Sequence, residues 1–201
     1  QHIQQLELQA LQHQLNPHFT FNALNSVCAL VEAKRYDDAE LMSEQLATFL
    51  RYSFSKSLNQ LVLLADELTA IEAYLALQKT RFGDKLKVQW QIEDSLKQQS
   101  IPPLLLQPLV ENAVKYAVAS RQQGATVRIS GSRQGMQWQL AVTDDGPGSA
   151  LPTEHIQGSG VGLANIRDRL KQHFGEKASL ITTALPTGFQ VHIHLPWQEG
   201  Y

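Results

Sequence analysis

Apolar residues recur at helical spacing through the first third of the chain. Residues 1–15 show the stripe of an amphipathic helix with coiled-coil character. Pro17 either kinks that helix or opens a new one. A second helix is predicted to begin at Asp37 or Asp38, either of which can cap it, and to run through Phe54. Two helices joined by a short polar turn cannot bury both stripes alone. We therefore predict a helical hairpin that dimerises as half of a four-helix bundle.

The periodicity changes in the middle of the chain. A third helix is predicted from about Ala65 to Phe82, after which residues alternate between apolar and polar as in half-buried strands. The later elements are a strand at 86–92, a helix at about 104–119, strands at 126–132 and 137–143, a helix at about 162–174, and strands at 179–183 and 188–195. This order predicts an α+β sandwich. We divide the chain into hairpin helices (1–60), a connecting helix (61–83) and the α+β domain (84–201).

Composition excludes only a few classes of function. The 201 residues include 17 Lys and Arg against 19 Asp and Glu, a formal net charge of −2. That balance gives no reason to expect direct binding of nucleic acid. The single cysteine, Cys28, excludes an intrachain disulfide and fits a reducing compartment. Because no apolar run approaches the roughly 20 residues of a membrane span, any membrane attachment is expected through segments outside this sequence.

Candidate chemistry begins on the helix predicted at about 104–119. Asn112 and Lys115 lie three residues apart, so they share the side opposite the apolar stripe. A carboxamide oxygen can bind Mg²⁺, and a Lys ammonium can contact phosphate oxygens. Taken alone, two polar residues on a helix are more often an ordinary solvated face.

Two glycine-containing segments follow. In the first, Asp144 stands at the end of a predicted strand, where its carboxylate can accept a hydrogen bond from an exocyclic amine. Gly146 and Gly148 allow the backbone to turn sharply beside a flat ring, although Asp, Gly and Pro are also ordinary turn residues. The second segment leads into a helix, where exposed N–H groups suit phosphates. It comprises Gly158, Ser159, Gly160, Val161, Gly162 and Leu163. Its spacing is not the dinucleotide-binding fingerprint.

The order of these three clusters resembles the Bergerat (GHKL) ATP-binding fold of gyrase, Hsp90, MutL and histidine kinases. The resemblance implies that Asn112 holds Mg²⁺ and that Asp144 contacts the adenine amine of ATP. It also implies that Gly146 and Gly148 form the adenine turn. The phosphate lid would be shaped by Gly158, Gly160 and Gly162, with Leu163 closing the motif.

The first half resembles the phosphoacceptor region of LytS/YehU-type sensor histidine kinases. The similarity is carried by Leu15-Asn16-Pro17-His18-Phe19-Thr20-Phe21-Asn22 and continues through Leu50-Arg51-Tyr52, Glu72 to Tyr74, Arg81-Phe82, Ile101-Pro102-Pro103 and Leu106 to Asn112. It implies a homodimer at the cytoplasmic face of the bacterial inner membrane. It also implies that the chain autophosphorylates on His18 and passes the phosphoryl group to an aspartate of a response regulator, of the LytTR type.

The resemblance leaves the proton acceptor open. Many histidine kinases carry an acidic residue directly after the phosphorylated histidine, but Phe19 stands there in this chain. We take Glu111 as the candidate general base. Asn22 stands at the offset where other histidine kinases position water for phosphatase activity. Whether transfer runs within a subunit or across a dimer stays open at this level.

Two other readings keep the same fold. One is a GHKL-fold ATPase without phosphotransfer, which would hydrolyse ATP without needing His18. The other is a non-catalytic dimeric adaptor, which would not bind Mg-ATP. Each leaves one of the motif sets without a role.

Overall fold

The computed structural model describes residues 17–55, 60–148 and 160–199. The helices are α1 (Pro17–Glu32), α2 (Tyr36–Ser55), α3 (Leu64–Phe82), α4 (Gln107–Ala113) and α5 (Gly160–Phe174). The strands are β1 (Val62–Leu63), β2 (Leu86–Ile92), β3 (Ser100–Ile101), β4 (Ala125–Gln134), β5 (Gln137–Asp144), β6 (Ser179–Ala184) and β7 (Phe189–Pro196). The predicted helix over 1–15 lies outside the described residues, as does Asn16, so the role of Pro17 stays a prediction.

The predicted helical hairpin is present as α1 and α2. The side chains of α1 that face α2 and α3 are Phe19 and Ala23, both buried, with Val27 and Leu30 half-buried behind them. Helix α2 begins at Tyr36, one residue before the predicted caps. Asp38 accepts a hydrogen bond from Arg35 Nε at 2.7 Å, so it closes the turn between the two helices.

The apolar residues of α1 form two separate stripes, although the sequence pattern was interpreted as a single stripe. The second stripe points outward, with Phe21 66%, Leu24 48% and Val31 47% exposed, and exposed Cys28 lies between them. These four positions have the 3-4-3 spacing of a coiled-coil seam. Helix α2 adds Leu41 and Phe54, which are 55% and 49% exposed. The helix runs through Phe54 as predicted, but the Phe54 side chain is not buried within the single chain.

Helix α3 connects the two halves by packing against both. Leu64 and Ile71 are fully buried, and Leu68, Leu75 and Leu77 are nearly so. They belong to one continuous apolar core that includes hairpin residues and residues of the α+β domain. Ten of the nineteen residues of α3 are buried, which explains why its apolar pattern is broader than one stripe. The division into three segments stays a prediction, since one continuous core includes residues of all three.

The α+β domain is a five-stranded mixed sheet with the strand order β2-β4-β5-β7-β6. Strands β2 and β4 run parallel, and every other pair is antiparallel. A parallel pair needs a crossover connection, and α4 lies within it. On one face of the sheet the alternate residues of the inner strands are buried: Val127, Ile129, Trp138, Leu140, Val142, Val191, Ile193 and Leu195. Helices α4 and α5 contribute Val110 and Ile166 to the same core.

The helix predicted over about 104–119 has two parts. Its α-helical turns are Gln107–Ala113, and the chain then widens into a π-helical turn at Val114–Val118. The N–H of Ala119 donates to the carbonyl of Val114 at 2.9 Å, the five-residue spacing of that turn. Such turns are often found at functional sites because they change the direction in which side chains point. Within the described ranges, the helices are too short or too polar to cross a membrane.

Candidate functional site

His18 lies on the exposed surface of α1, one residue after the start of the described helix. Asn22 follows one turn later on the same side. Its amide nitrogen lies 3.2 Å from Nδ1 and 3.3 Å from Nε2 of His18. Because this nitrogen is almost equally far from both ring nitrogens, the carboxamide lies against the imidazole ring and not on the lone-pair axis of either nitrogen. Asn22 is placed to orient the His18 ring.

Phe19 fixes the rotation of this helix. The ring of Phe19 is 6% exposed and lies 5.1 Å from Phe49 and 5.0 Å from Tyr74, centroid to centroid. Phe49 and Tyr74 are themselves 5.5 Å apart, so one aromatic residue comes from each of α1, α2 and α3. Successive residues of a helix point about 100° apart. With Phe19 held inward, His18 faces the opening beside the cluster.

That opening is a cleft of about 370 Å³ between the hairpin and the α+β domain. One wall carries His18, and the opposite wall carries Glu111, Asn112 and Lys115 of α4 and the turn after it. Four sequence-predicted site residues from distant parts of the chain therefore line a single cavity. The imidazole and the residues expected to hold phosphates and Mg²⁺ thus line the same cleft within one subunit.

Glu111 is half-buried in the cleft wall. Its Oε1 accepts a hydrogen bond from Gln107 Nε2 at 2.9 Å. Burial raises the pKa of the Glu111 carboxyl, and the Gln107 bond opposes that rise only in part. A carboxylate with a raised pKa is a better proton acceptor near neutral pH than a solvated one. The environment therefore fits the role predicted for Glu111.

Asp144 continues the inward alternation of β5, following buried Leu140 and Val142. Its carboxylate therefore points to the face of the sheet on which α4 packs. The Oδ1 atom accepts the N–H of Gly146 at 2.9 Å, which fixes the side chain within the turn. Burial raises the pKa of the Asp144 carboxyl, and backbone N–H bonds from Gly146 and Phe189 oppose this.

Gly146 packs the turn after Asp144 directly against the π-helical turn that follows α4. A Cβ on Gly146 would lie 2.5 Å from Cβ of Ala117, on the turn that follows Asn112 and Lys115, and 2.8 Å from Oδ1 of Asp144. Only glycine permits this close approach. Gly148 has a φ of +60°, and a side chain there would meet the backbone at Leu185 and Gly188. Both glycines are thus required by local sterics, beyond their role in an ordinary turn.

The third cluster is only partly described. Gly158 and the segment 149–157 lie outside the described residues, so their place in a phosphate lid stays a prediction. Gly160 and Gly162 stand in the first turn of α5, and Gly162 has open space around its Cα. The side chain of Leu163 is 7% exposed and belongs to the core. Of Leu163, only the backbone is left to contact a phosphate.

The cleft also contains residues to which the sequence reasoning gave no site role. Arg81 lines it beside His18, with its guanidinium carbon 4.9 Å from the ring centroid of Phe82. Gln78 and Tyr74 line the same wall, and Gln78 Nε2 donates to Tyr74 Oη at 2.9 Å. All three lie on α3 at spacings of three and four. That spacing marks one face of a helix, but nothing in the sequence shows that this face lines the cleft.

Comparison with known proteins first defines the class. Residues 100–199 match the family model described as "Histidine kinase-, DNA gyrase B-, and HSP90-like ATPase". Residues 6–86 match the model described as "Histidine kinase". The fold is also that of solved histidine kinases. The Acinetobacter baumannii histidine kinase AdeS has a TM-score of 0.52 at 15% identity over 97% of both chains. The histidine kinase domain from Erythrobacter litoralis EL346 has a TM-score of 0.51 at 20% identity over 94% of this chain and 90% of that one.

Sequence relatives agree with the class. The sensor histidine kinase BtsS of Escherichia coli K12 is 33% identical over 98% of this chain and 34% of its own length. The sensor protein LytS of Staphylococcus haemolyticus is 33% identical over 96% of this chain and 35% of its own. The chain belongs to the histidine kinase family, and its relatives include several LytS sensor proteins. It spans about a third of the length of these relatives.

The contact between Gly146 and Ala117 leads to a direct test. In Gly146→Ala the added methyl group must push Ala117 or Asp144 away, and overpacking of this kind costs about 1–3 kcal/mol. We expect adenine-nucleotide affinity, measured by calorimetry, to fall by about ten-fold or more. Gly135→Ala is the control, because a Cβ on Gly135 would meet open space and Gly135 lies at the other end of β5. Gly135 has a positive φ, which Gly146 lacks, so the control is not the milder change for the backbone. Equal affinities for both variants would contradict the assignment of this turn.

Proposed function

We propose that this chain is the catalytic core of a sensor histidine kinase that uses Mg-ATP to phosphorylate its own His18. The observation that carries the proposal is the single cleft lined by His18 on one side and by Glu111, Asn112 and Lys115 on the other. Because all four residues belong to one chain, we also propose that transfer runs within a subunit.

The nucleotide is held by residues of both glycine segments and of α4. Asp144 accepts the exocyclic amine of adenine while Gly146 and Gly148 leave room for the ring. Gly158, Gly160, Gly162 and the backbone of Leu163 border the phosphates, and Lys115 offsets their charge. The carboxamide oxygen of Asn112, which lines the cleft, fits Mg²⁺, which prefers one or two protein oxygens together with phosphates. Bound Mg²⁺ supplies further neutralisation of phosphate charge.

His18 is the nucleophile. A lone pair on the neutral imidazole attacks the γ-phosphorus, a P–N bond forms, and the P–O bond to ADP breaks, so that ADP leaves with the electron pair. The other ring nitrogen then loses its proton. Glu111, in the facing wall, is the proposed acceptor of that proton. The protein's main contribution is alignment and charge neutralisation.

The position of His18 favours this function over the two alternatives with the same fold. An ATPase without phosphotransfer has no need for an oriented imidazole opposite its phosphate site. A non-catalytic adaptor has no need for the steric fit of Gly146 and Gly148 around Asp144.

The outward stripe of α1 supports a homodimer. Phe21, Leu24 and Val31 form an exposed apolar seam, and burial of such a seam against a second copy completes a four-helix bundle. We propose this dimer as the working unit. Co-purification of two differently tagged copies checks it, and a strictly monomeric chain at micromolar concentration would contradict it.

A response regulator is the proposed acceptor of the phosphoryl group, through an aspartate and with a LytTR-type regulator as the specific candidate. A relative from Staphylococcus aureus, 31% identical over 98% of this chain, is named sensor histidine kinase/phosphatase LytS. We propose the same second activity for this chain. Asn22 contacts the His18 ring, so its amide can orient a water molecule for dephosphorylation of the regulator. A regulator dephosphorylated at full rate by Asn22→Ala would eliminate that role.

We propose that the complete protein works at the cytoplasmic face of the bacterial inner membrane. Other segments of that protein would supply sensing and membrane attachment. Fractionation of cells that express the full-length protein, with detection in the membrane pellet, is the corresponding measurement.

Incubation with γ-labelled ATP tests the kinase function. We expect acid-labile, base-stable labelling of the wild-type chain and its complete loss in His18→Gln, because no other side chain occupies that position in the cleft. His194→Gln is the control, since it removes a histidine from the open face of the sheet. Labelling that survives His18→Gln, or ATP hydrolysis with no labelling at all, would point to the ATPase alternative.

Glu111→Gln tests the general base. It keeps an acceptor for the Gln107 bond but cannot take a proton, so we expect autophosphorylation to slow by about 10²-fold or more while ATP affinity is kept. The wild-type rate should also fall as the pH drops through the raised pKa of Glu111, and Glu111→Gln should lose that part of the profile. Exposed Glu176, changed to Gln, is the control. A near-normal rate in Glu111→Gln would make Glu111 structural.

A further inference from the structure

A buried carboxylate lies outside the cleft, and the mechanism above does not use it. Glu67 stands in the first turn of α3 and is 0% exposed. Burial raises the pKa of its carboxyl, and hydrogen bonds to that group oppose the rise. An acidic residue is seldom buried completely without several partners. The partners of Glu67 indicate what its position accomplishes.

Three hydrogen bonds join Glu67 to the hairpin and to α4. Its Oε2 accepts the hydroxyl of Tyr52, from α2, at 2.9 Å. Its Oε1 accepts the backbone N–H of Leu106 at 2.5 Å and of Gln107 at 3.1 Å. The first N–H groups of a helix have no partner within the helix. A side chain from α3 therefore caps α4, and the same carboxylate holds α2.

The first turn of α4 is also connected to the cleft. Gln107, whose N–H is bound by Glu67, donates its own Nε2 to Glu111 at 2.9 Å. Its side chain also lies 3.4 Å from Oγ of Ser53, the residue after Tyr52 in α2. Ser53 of α2 thus contacts the start of α4 directly, and the adjacent Tyr52 is connected to it through Glu67. The helix that carries Asn112 is tied at its first turn to the hairpin that carries His18.

Helix α5 approaches the same point through Arg169. Its Nη1 donates to the carbonyl of Pro103 at 2.6 Å, just before α4. The Arg169 guanidinium also interacts electrostatically with Glu67 and lowers the pKa of that carboxyl. Elements from the hairpin, the connecting helix and the α+β domain therefore converge on one carboxylate.

We propose that Glu67 is a positioning residue, which sets the orientation of α4 relative to the phosphoacceptor hairpin through its bonds to Tyr52 and to the first turn of α4. This inference rests on the proposed kinase function. In-line transfer depends on alignment of the reacting atoms, and a displacement of about 1 Å can cost on the order of 10²-fold in rate. The residues proposed to bind adenine lie on β5 and the turn after it. Asn112 and Lys115 move with α4, so ATP affinity should change slightly, whereas the main effect should fall on the transfer step.

Three variants separate the parts of the junction. Glu67→Ala removes all three hydrogen bonds. Tyr52→Phe removes the link between Glu67 and α2, together with the bond of the hydroxyl to the Leu104 backbone. Glu67→Gln keeps an oxygen for the two N–H groups and an amide that can donate to Tyr52. We expect the rate at saturating ATP to fall about 10²-fold in Glu67→Ala, to fall less in Tyr52→Phe and to stay near normal in Glu67→Gln. The dissociation constant for ATP should change much less than the rate in all three.

Gln99→Ala controls for lost stability. Gln99 is 5% exposed and exchanges hydrogen bonds of 3.0 Å and 2.9 Å with the backbone of Gln198, away from the cleft. We expect it to lower the melting temperature without slowing transfer. If Gln99→Ala slows transfer as much as Glu67→Ala, or if Glu67→Ala loses ATP affinity in step with rate, the role of Glu67 is only structural. A folded Glu67→Ala protein with the normal rate also overturns the proposal.

Amide hydrogen exchange gives a readout that needs no kinase activity. We expect the Leu106 and Gln107 amides to lose protection in Glu67→Ala, with α4 exchanging faster in Tyr52→Phe while strands β4 and β5 stay unchanged. Unchanged protection would contradict the proposal even if His18 were never labelled. An unlabelled wild-type chain would instead count against the kinase function, so the two failures can be told apart.

Discussion

The burial of Phe19 is the contact on which the arrangement of the site depends. Its ring closes an aromatic cluster with Phe49 and Tyr74, one residue from each of the first three helices. Burying an aromatic side chain of this size stabilises a fold by a few kcal/mol. Because the neighbouring residue on a helix must point elsewhere, the same contact directs His18 toward the cleft. In the proposed mechanism, the residue after the phosphoacceptor histidine serves packing, and the acid–base role is assigned to Glu111 in the facing wall.

Helix α3 packs against both the hairpin and the α+β domain, so it fixes the position of one relative to the other. One side of α3 holds Tyr74 against the hairpin, and its fully buried residues belong to the core shared with the sheet. Its first turn holds Glu67 against the start of α4. Arg81, near its end, lines the cleft. Helix α3 therefore sets the separation between the His18 imidazole and α4. Rotation of the hairpin would move His18 and, through Tyr52 and Glu67, would also shift α4.

Much of the fold and part of the site could be predicted from the sequence. Alternation along β5 is local, so it correctly indicated a strand ending at Asp144, and the helices were found to within a few residues. The juxtaposition of His18 with Asn112 could not be predicted from spacing, because it depends on how α3 packs against segments nearly a hundred residues apart. Glu67 resembles an ordinary acidic residue in a first helical turn. Only tertiary burial distinguishes it.

The central claim is that His18 receives its phosphoryl group from the nucleotide held by its own subunit. Dimers can be purified with two tags so that a wild-type chain is paired with a chain carrying both His18→Gln and Asn112→Ala. With γ-labelled ATP, we predict label on the wild-type chain of this mixed dimer, because it contains both halves of the cleft. An unlabelled mixed dimer, alongside a labelled wild-type homodimer, would contradict the account.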